Sequence, residues 1–348
     1  MTVKDVIIIS VCKALKGERT IYGAYHLLQG KKSAQTIQDG HLFSILPYYG
    51  MFPKMKRADI AMKVKILAEQ KLMQQVSEDR FIVTDRGEAF LESETDKWPL
   101  LQELNGWKYS RLTRTFWLRM TLWIQTVTEL HMNRRDFIPI VQEREVQFWV
   151  KQHMPRTKVI RDEQLSKLYE ELHHFLRCLN EGHSLFLVLQ LTSHKRIGYT
   201  RGQAARLCSI REDDADIIHE ALLHKLFAFI ENREGLDRLP SFIDQQIKEA
   251  GWTKSAERTS QLLKQGMSIE QIASMRQLKT STIEDHIIEI ALQDATFPIN
   301  KYVSEAIQME IDQLLIREQS IKLRDIKAAL GDAASYFMIR LALTRRGE

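Results

Sequence analysis

Proline, glycine and cysteine are all scarce in this chain, at 7, 15 and 3 of 348 residues. So few breakers argue against a β-sandwich, a glycine-rich nucleotide fold and a disordered chain. The three cysteines, Cys12, Cys178 and Cys208, stand at unrelated spacings. They offer no zinc cage, and an odd number of thiols fits a reducing, cytoplasmic setting. No apolar run reaches the roughly 18 residues that cross a bilayer. The nearest, Val6 to Cys12, follows Asp5 and ends at Lys13 without a small-residue cleavage site, so it reads as a buried helix.

Catalytic signatures are missing as well. Gly30-Lys31-Lys32-Ser33 resembles the end of a phosphate loop, but Tyr25 takes the first glycine position and Lys32 the serine or threonine position. His219 and His224 flank a stretch resembling a zinc-protease helix. They are five residues apart, which is about 140° around a helix, and so cannot share a metal. No catalytic residues, cofactor or metal are expected, and the chain is read as a non-enzyme.

What the sequence does hold is helix-forming and apolar. Hydrophobic residues make up 44% and charged residues 27%, enough for more than one core. Leu, Ile, Gln, Glu, Lys and Arg dominate, so a mainly α fold is expected. Three regions are predicted: an N-terminal winged helix over 1–95, a helical scaffold over 96–250 and a C-terminal helix-turn-helix domain over 251–348.

In the first region, helices are expected over Val3–Leu15 and Ile21–Leu28, then a loop over 31–53. A third helix over Lys56–Gln70 carries Ile60, Val64 and Leu67 at helical spacing. Two apolar runs around Ser77-Glu78-Asp79-Arg80 predict a hairpin, and a short helix follows Thr84. Three helices and a hairpin are the order of a winged helix. Residues 92–96 read as a polar joint. The next helix, Tyr109–His131, is apolar nearly all round and is either core or a partner surface. A further helix is expected over Phe137–Val150, and 162–248 reads as helical. Thr200–Leu207 with Asp213–Phe229 has helix-turn-helix spacing, but Glu212, Asp213, Asp214, Asp216 and Glu220 would repel phosphate, so the pair is read as structural.

Residues 255–294 give a sharper signal. A helix ends at Gly266, Ser268 with Gln271 predicts a capping box, Leu278 plugs a four-residue turn, and Ser281 with Glu284 predicts a second box. Ile283, Ile287 and Ile290 mark the buried face of the longer helix. Short helix, tight turn, longer helix is helix-turn-helix geometry. Helices over Tyr302–Arg317, Leu323–Leu330 and Ala334–Thr344 complete the chain.

Charge is uneven. Residues 1–91 hold 14 Lys and Arg against 9 Asp and Glu, and 97–161 hold 12 against 5, while 162–348 hold 24 against 28. A polyanion should meet the N-terminal half first, unless these charges only solvate helix faces. The phosphate-binding candidates there are Lys31 and Lys32 on the loop, Lys54, Lys56, Arg57 and Lys65 at the third helix, and Arg80 on the wing. In the C-terminal unit, Lys279, Thr280, Ser281 and Thr282 offer donors at a helix start, beside the acidic Glu284, Asp285 and Glu289. A protein-docking role suits that unit about as well as DNA reading.

These residues resemble known modules. Lys16 to Ile21, Leu28 to Ser33, Gly40-His41, Tyr48-Tyr49-Gly50 and Phe81 to Gly87 look like the RQC winged helix that follows the motor of RecQ helicases. Residues Ala256 to Ala291, and Ala329-Leu330 with Ile339 to Leu343, are similar to the helix-turn-helix domain at RecQ C-termini. The four-cysteine zinc module of RecQ is absent, and the wing tip has no aromatic ring. Both modules without a motor resemble the YpbB family of Gram-positive bacteria, which is associated with a short RecQ-like helicase of the RecS type. The resemblance implies a cytoplasmic, nucleoid-associated accessory protein. It would bind duplex or branched DNA and partner that helicase in repair or recombination. The alternative is a sequence-specific helix-turn-helix transcription regulator.

Overall fold

A computed structural model describes residues 1–243, 253–294, 296–317 and 323–345. The chain begins α1 (Val3–Leu15), α2 (Ile21–Gln29), α3 (Ala34–Leu42), α4 (Arg57–Glu69), β1 (Met73–Ser77), β2 (Arg80–Val83) and α5 (Asp85–Thr95). It continues with α6 (Gly106–Tyr109), α7 (Thr113–His131), α8 (Arg144–Gln152), α9 (Lys158–Leu176) and α10 (Glu181–Leu189). Next come α11 (Arg201–Leu207), α12 (Ala215–Glu231), α13 (Arg238–Ser241), α14 (Lys254–Lys264) and α15 (Ile269–Arg276). The last are α16 (Thr280–Gln293), α17 (Glu305–Arg317), α18 (Leu323–Leu330) and α19 (Tyr336–Ala342). The fold is mainly α, and no described helix is long and apolar enough to cross a membrane.

The chain forms two compact units, one of residues 1–30 with 47–249, the other of 31–46 with 250–348. The boundary expected at 250/251, and the end of the helical stretch expected through 248, lie outside the described residues. The loop expected over 31–53 instead contains α3, which Ser33 caps by accepting the Thr36 N–H at 3.3 Å. It belongs to the second unit.

The first unit is built on α1, most of which is buried, Lys4, Ser10, Lys13 and Ala14 being half-buried. Its N-terminus explains how so apolar a helix is placed. Thr2 and Asp5 cap each other, the Asp5 carboxylate pairs with Lys63 of α4 at 2.8 Å, and the Val3 N–H donates to Asp214 Oδ1 at 2.7 Å. Both carboxylates sit at the positive end of the helix, where an acidic group is favoured. Burial opposes the Asp5 charge, but Lys63 and the Thr2 backbone outweigh it and hold the carboxyl below its usual range. Helices α1, α2 and α4 pack together, with Ile60, Val64 and Leu67 inward as their spacing predicts. The hairpin follows, antiparallel, with Met73 opposite Val83 and Gln75 opposite Phe81. This is the winged-helix order.

Where the chain leaves and re-enters this unit, two glycines meet. Gly30 is left-handed (φ +79°), and a Cβ on it would stand 3.0 Å from the Gly50 Cα. The Gly50 N–H donates to Leu27 O at 2.9 Å, and the Tyr49 hydroxyl to Gly30 O at 2.7 Å. A side chain at Gly30 would crowd this approach, and its left-handed backbone favours glycine.

Helix α7 is core. Trp123 is 0% exposed and sits under the Arg238 guanidinium at 4.1 Å, and Phe116 packs edge-on against Phe227 at 5.1 Å. The acidic start expected over 212–216 opens α12, whose inner face carries His219 and His224 at 0% exposure. Three boundaries differ from expectation. The helix expected over Tyr109–His131 starts at Thr113, because Tyr109 ends the short α6. Residues 92–96 are not a joint, because α5 runs through Thr95. Helix α8 starts at Arg144 rather than 137, because Pro139 interrupts the pattern and the Gln125 carboxamide holds 138–140 extended.

In the second unit, α14, α15 and α16 form the expected helix-turn-helix. Ser268 and Gln271 make both bonds of the capping box, at 2.8 and 3.3 Å. Gln277 turns through φ +52°, and the Leu278 N–H closes on Ala273 O at 2.9 Å. Ile283, Ile287 and Ile288 join Ile272 and Phe337 in one core. The second box is not formed. The helix starts two residues earlier than that box requires, with Lys279 at its N-cap and no side-chain cap.

Candidate nucleic-acid interface

Helix α4 is positioned by its inner stripe and by the Lys63–Asp5 pair, so its outer face is fixed. Asp59 turns back to accept the Lys56 N–H at 2.8 Å, which closes the first turn. Around this N-terminus Lys54, Lys56 and Arg57 are all exposed. Three cations therefore stand at the positive end of a helix dipole, a setting that favours an anionic oxygen. The Arg57 guanidinium lies 3.7 Å over the Tyr22 ring, which orients it while leaving it exposed. Lys65, two turns further on, is exposed on the same helix. The structure thus places Arg57 and Lys65 on α4, Lys56 at its N-cap and Lys54 in the turn just before it. Lys63, which was not among the candidates, is engaged inward by its pair with Asp5.

Arg80 is exposed on the hairpin but turned back onto the fold. Its Nη1 donates to Gly17 O and Glu18 O, each at 3.2 Å. The neighbouring Asp79 carbonyl accepts the Ile21 N–H at 2.8 Å. The wing is therefore anchored along the turn between α1 and α2. Lys31 and Lys32 are exposed in the segment that joins the second unit, so they are not on the stretch that carries Lys54 to Lys65.

Sequence reasoning missed two features of α4. The Tyr22 ring beneath Arg57 lies on another helix and left no local signal. The other was legible: Ala58, Met62 and Ile66 recur every four residues and form a second apolar stripe, facing outward, with Met62 61% exposed.

The second unit treats its reading helix differently. Lys279, Thr280 and Ser281 are exposed and Thr282 is half-buried, so the uncapped first turn presents donors to solvent. Beyond it Glu284 and Asp285 are half-buried and the helix then turns interior. His286 to Ala291 are all buried, between α14, α15, α19 and α3. Asp285 is held by Arg340 at 2.8 Å, and the Arg340 Nε also donates to Gln38 Oε1 of α3 at 2.6 Å. Burial, and then the charge of Asp285, push the Glu284 carboxyl above its usual range. Glu289, which would have repelled phosphate, caps α14 by accepting the Thr253 N–H at 2.5 Å. The acidic residues of α16 therefore serve packing, and its first turn is the surface left for a polyanion.

Comparison with known proteins agrees with this geometry. A family model described as a helix-turn-helix domain matches residues 255–343. The chain is 34% identical over 346 residues to Protein YpbB of Bacillus subtilis (strain 168), covering 98% of this chain and 97% of that one. The chain belongs to the YpbB family. No solved structure matches it. For this family member, the helix-turn-helix domain supports DNA binding.

Proposed function

We propose that the chain is a non-catalytic, DNA-binding accessory protein that works in trans with a RecQ-like helicase of the RecS type in DNA repair or recombination. The observation that carries this reading is the outer face of α4, where three cations surround a helix N-terminus in a winged-helix arrangement. Such a surface grips the sugar-phosphate backbone, which fixes position without reading sequence. The interior α16 supports the same reading. A regulator that recognises a symmetric site lays the face of its second helix in the major groove, whereas here most of α16 is packed.

The test has two arms. Binding to random-sequence duplex and branched DNA is measured from low to moderate salt, and should weaken steeply as salt rises. The full chain is then mixed with a RecS-type helicase and assayed for co-purification and unwinding. Binding of DNA without marked sequence preference, together with a change in unwinding, is the expected outcome. Strong preference for one palindrome by a dimer would favour the transcription regulator. Neither association with the helicase nor any effect on it would remove the accessory role.

A further inference from the structure

The extended loop between α7 and α8 is built in an unusual way. Gln125, buried on α7, uses both ends of its carboxamide on it: Nε2 donates to Ile138 O at 3.0 Å, and Oε1 accepts the Ile140 N–H at 2.9 Å. A side chain here replaces a strand partner. Val141 is buried, and its carbonyl is held by the Gln147 amide of α8 at 2.8 Å. The loop is thus fastened from Ile138 to Val141, yet it presents Ile138 at 83% exposure. Phe148, one residue past the Gln147 tether, is 62% exposed.

A fastened backbone that displays large apolar side chains is the arrangement of an interface anchor. Such a residue gains little in the free chain, and a pre-ordered loop reduces what must be immobilised on binding. Its surroundings select the partner by charge. Arg134 and Arg135 precede the anchor, are exposed, and form no ion pair among the described residues. Asp136 is the acidic residue between them and Ile138. Glu143 is bound by Arg114 at 2.5 Å.

We infer that this loop docks a segment of a partner protein in which acidic residues flank an apolar side chain. The apolar group packs on Ile138 and Phe148, and the carboxylates meet Arg134 and Arg135. The inference rests on the accessory reading above and deepens it: this is the face on which the helicase sits. DNA is gripped elsewhere, on α4.

The experiment uses the full chain and a RecS-type helicase, with affinity measured by calorimetry. Ile138→Asp should weaken the association at least tenfold. Arg134→Glu with Arg135→Glu should weaken it several-fold and flatten its salt dependence, and both variants should bind duplex DNA as the unaltered chain does. All these side chains are exposed, so the variants should fold, and unchanged circular dichroism and melting temperature check this. If the unaltered chain binds the helicase and Ile138→Asp binds within twofold of it, the docking site is wrong while the accessory reading stands. If the unaltered chain does not bind the helicase, both fall. Loss of DNA binding in the arginine variant with helicase affinity retained would also overturn the assignment.

Discussion

Helices α4 and α16 occupy corresponding places in two helix-turn-helix arrangements, yet they face opposite fates. Helix α4 buries one stripe and leaves cations, a methionine and an isoleucine outside. Helix α16 is buried from His286 to Ala291, with Asp285 held by Arg340 and Glu289 spent on the cap of α14. The same local geometry therefore serves as a contact surface in one unit and as a central pillar in the other. A helix-turn-helix motif specifies how three helices pack, and the residues outside that packing decide what it touches.

Four experiments break or sharpen this contrast. If α16 is a pillar, Ile287→Ala should cost about 2–5 kcal/mol in denaturant unfolding, whereas Met62→Ala on α4 should stay within about 0.5 kcal/mol. Equal costs would abolish the distinction.

The core of the first unit has its own pH signature. His224 is fully buried, accepts the Asn105 N–H on Nδ1 at 3.1 Å, and is pushed down to about 4 by burial. Its neutral form is the one that folds. Stability is complete above the ordinary histidine value near 6.5, where the unfolded state is also neutral, and is lost as pH falls from there towards 4. The loss should approach about 3 kcal/mol. A urea-midpoint series should show the slope, and it should be shallower in His224→Asn.

The third comparison is functional. Lys56→Glu with Arg57→Glu should lower duplex affinity by about a hundredfold at 0.1 M salt and make the salt slope less steep. Lys279→Glu should lower it by less than about threefold. The reverse ranking in fluorescence anisotropy would move the DNA surface to the second unit. The smallest difference concerns caps. Ser268→Ala removes a complete capping box and should cost about 1 kcal/mol, but Ser281→Ala, on a helix with no side-chain cap, should be near neutral in thermal melts.

The contrast was only half legible in the sequence. The stripes Ile60/Val64/Leu67 and Ile283/Ile287/Ile290 gave both helices and their inner faces, because periodicity reports the side that packs. The capping residues Ser268 and Gln271 placed α15 for the same local reason. Nothing local says what covers the remaining faces. That α3 packs on α16, that Arg340 takes Asp285 and that Tyr22 supports Arg57 are all contacts between residues far apart in the chain. The loop expected over 31–53 hid α3 because Ser33 is followed by Ala-Gln-Thr-Ile-Gln, a stretch with weak amphipathic pattern. Pro139 was a usable warning that no helix spans 137–150. The exposed cations at the start of α4 were identified by charge, but the Lys63–Asp5 pair and the inward turn of Arg80 required coordinates.

The second unit is assembled from pieces separated by two hundred residues, with 31–46 made early and the remainder last. On the ribosome, α3 must therefore wait, its partners unmade, while the whole of the first unit emerges around it. A fragment cut to the bounds of the family match would begin life without that helix and without the Gln38 side-chain amide oxygen that steadies Arg340. Truncations of this protein are thus better drawn by deleting inside the first unit than by slicing at a single point.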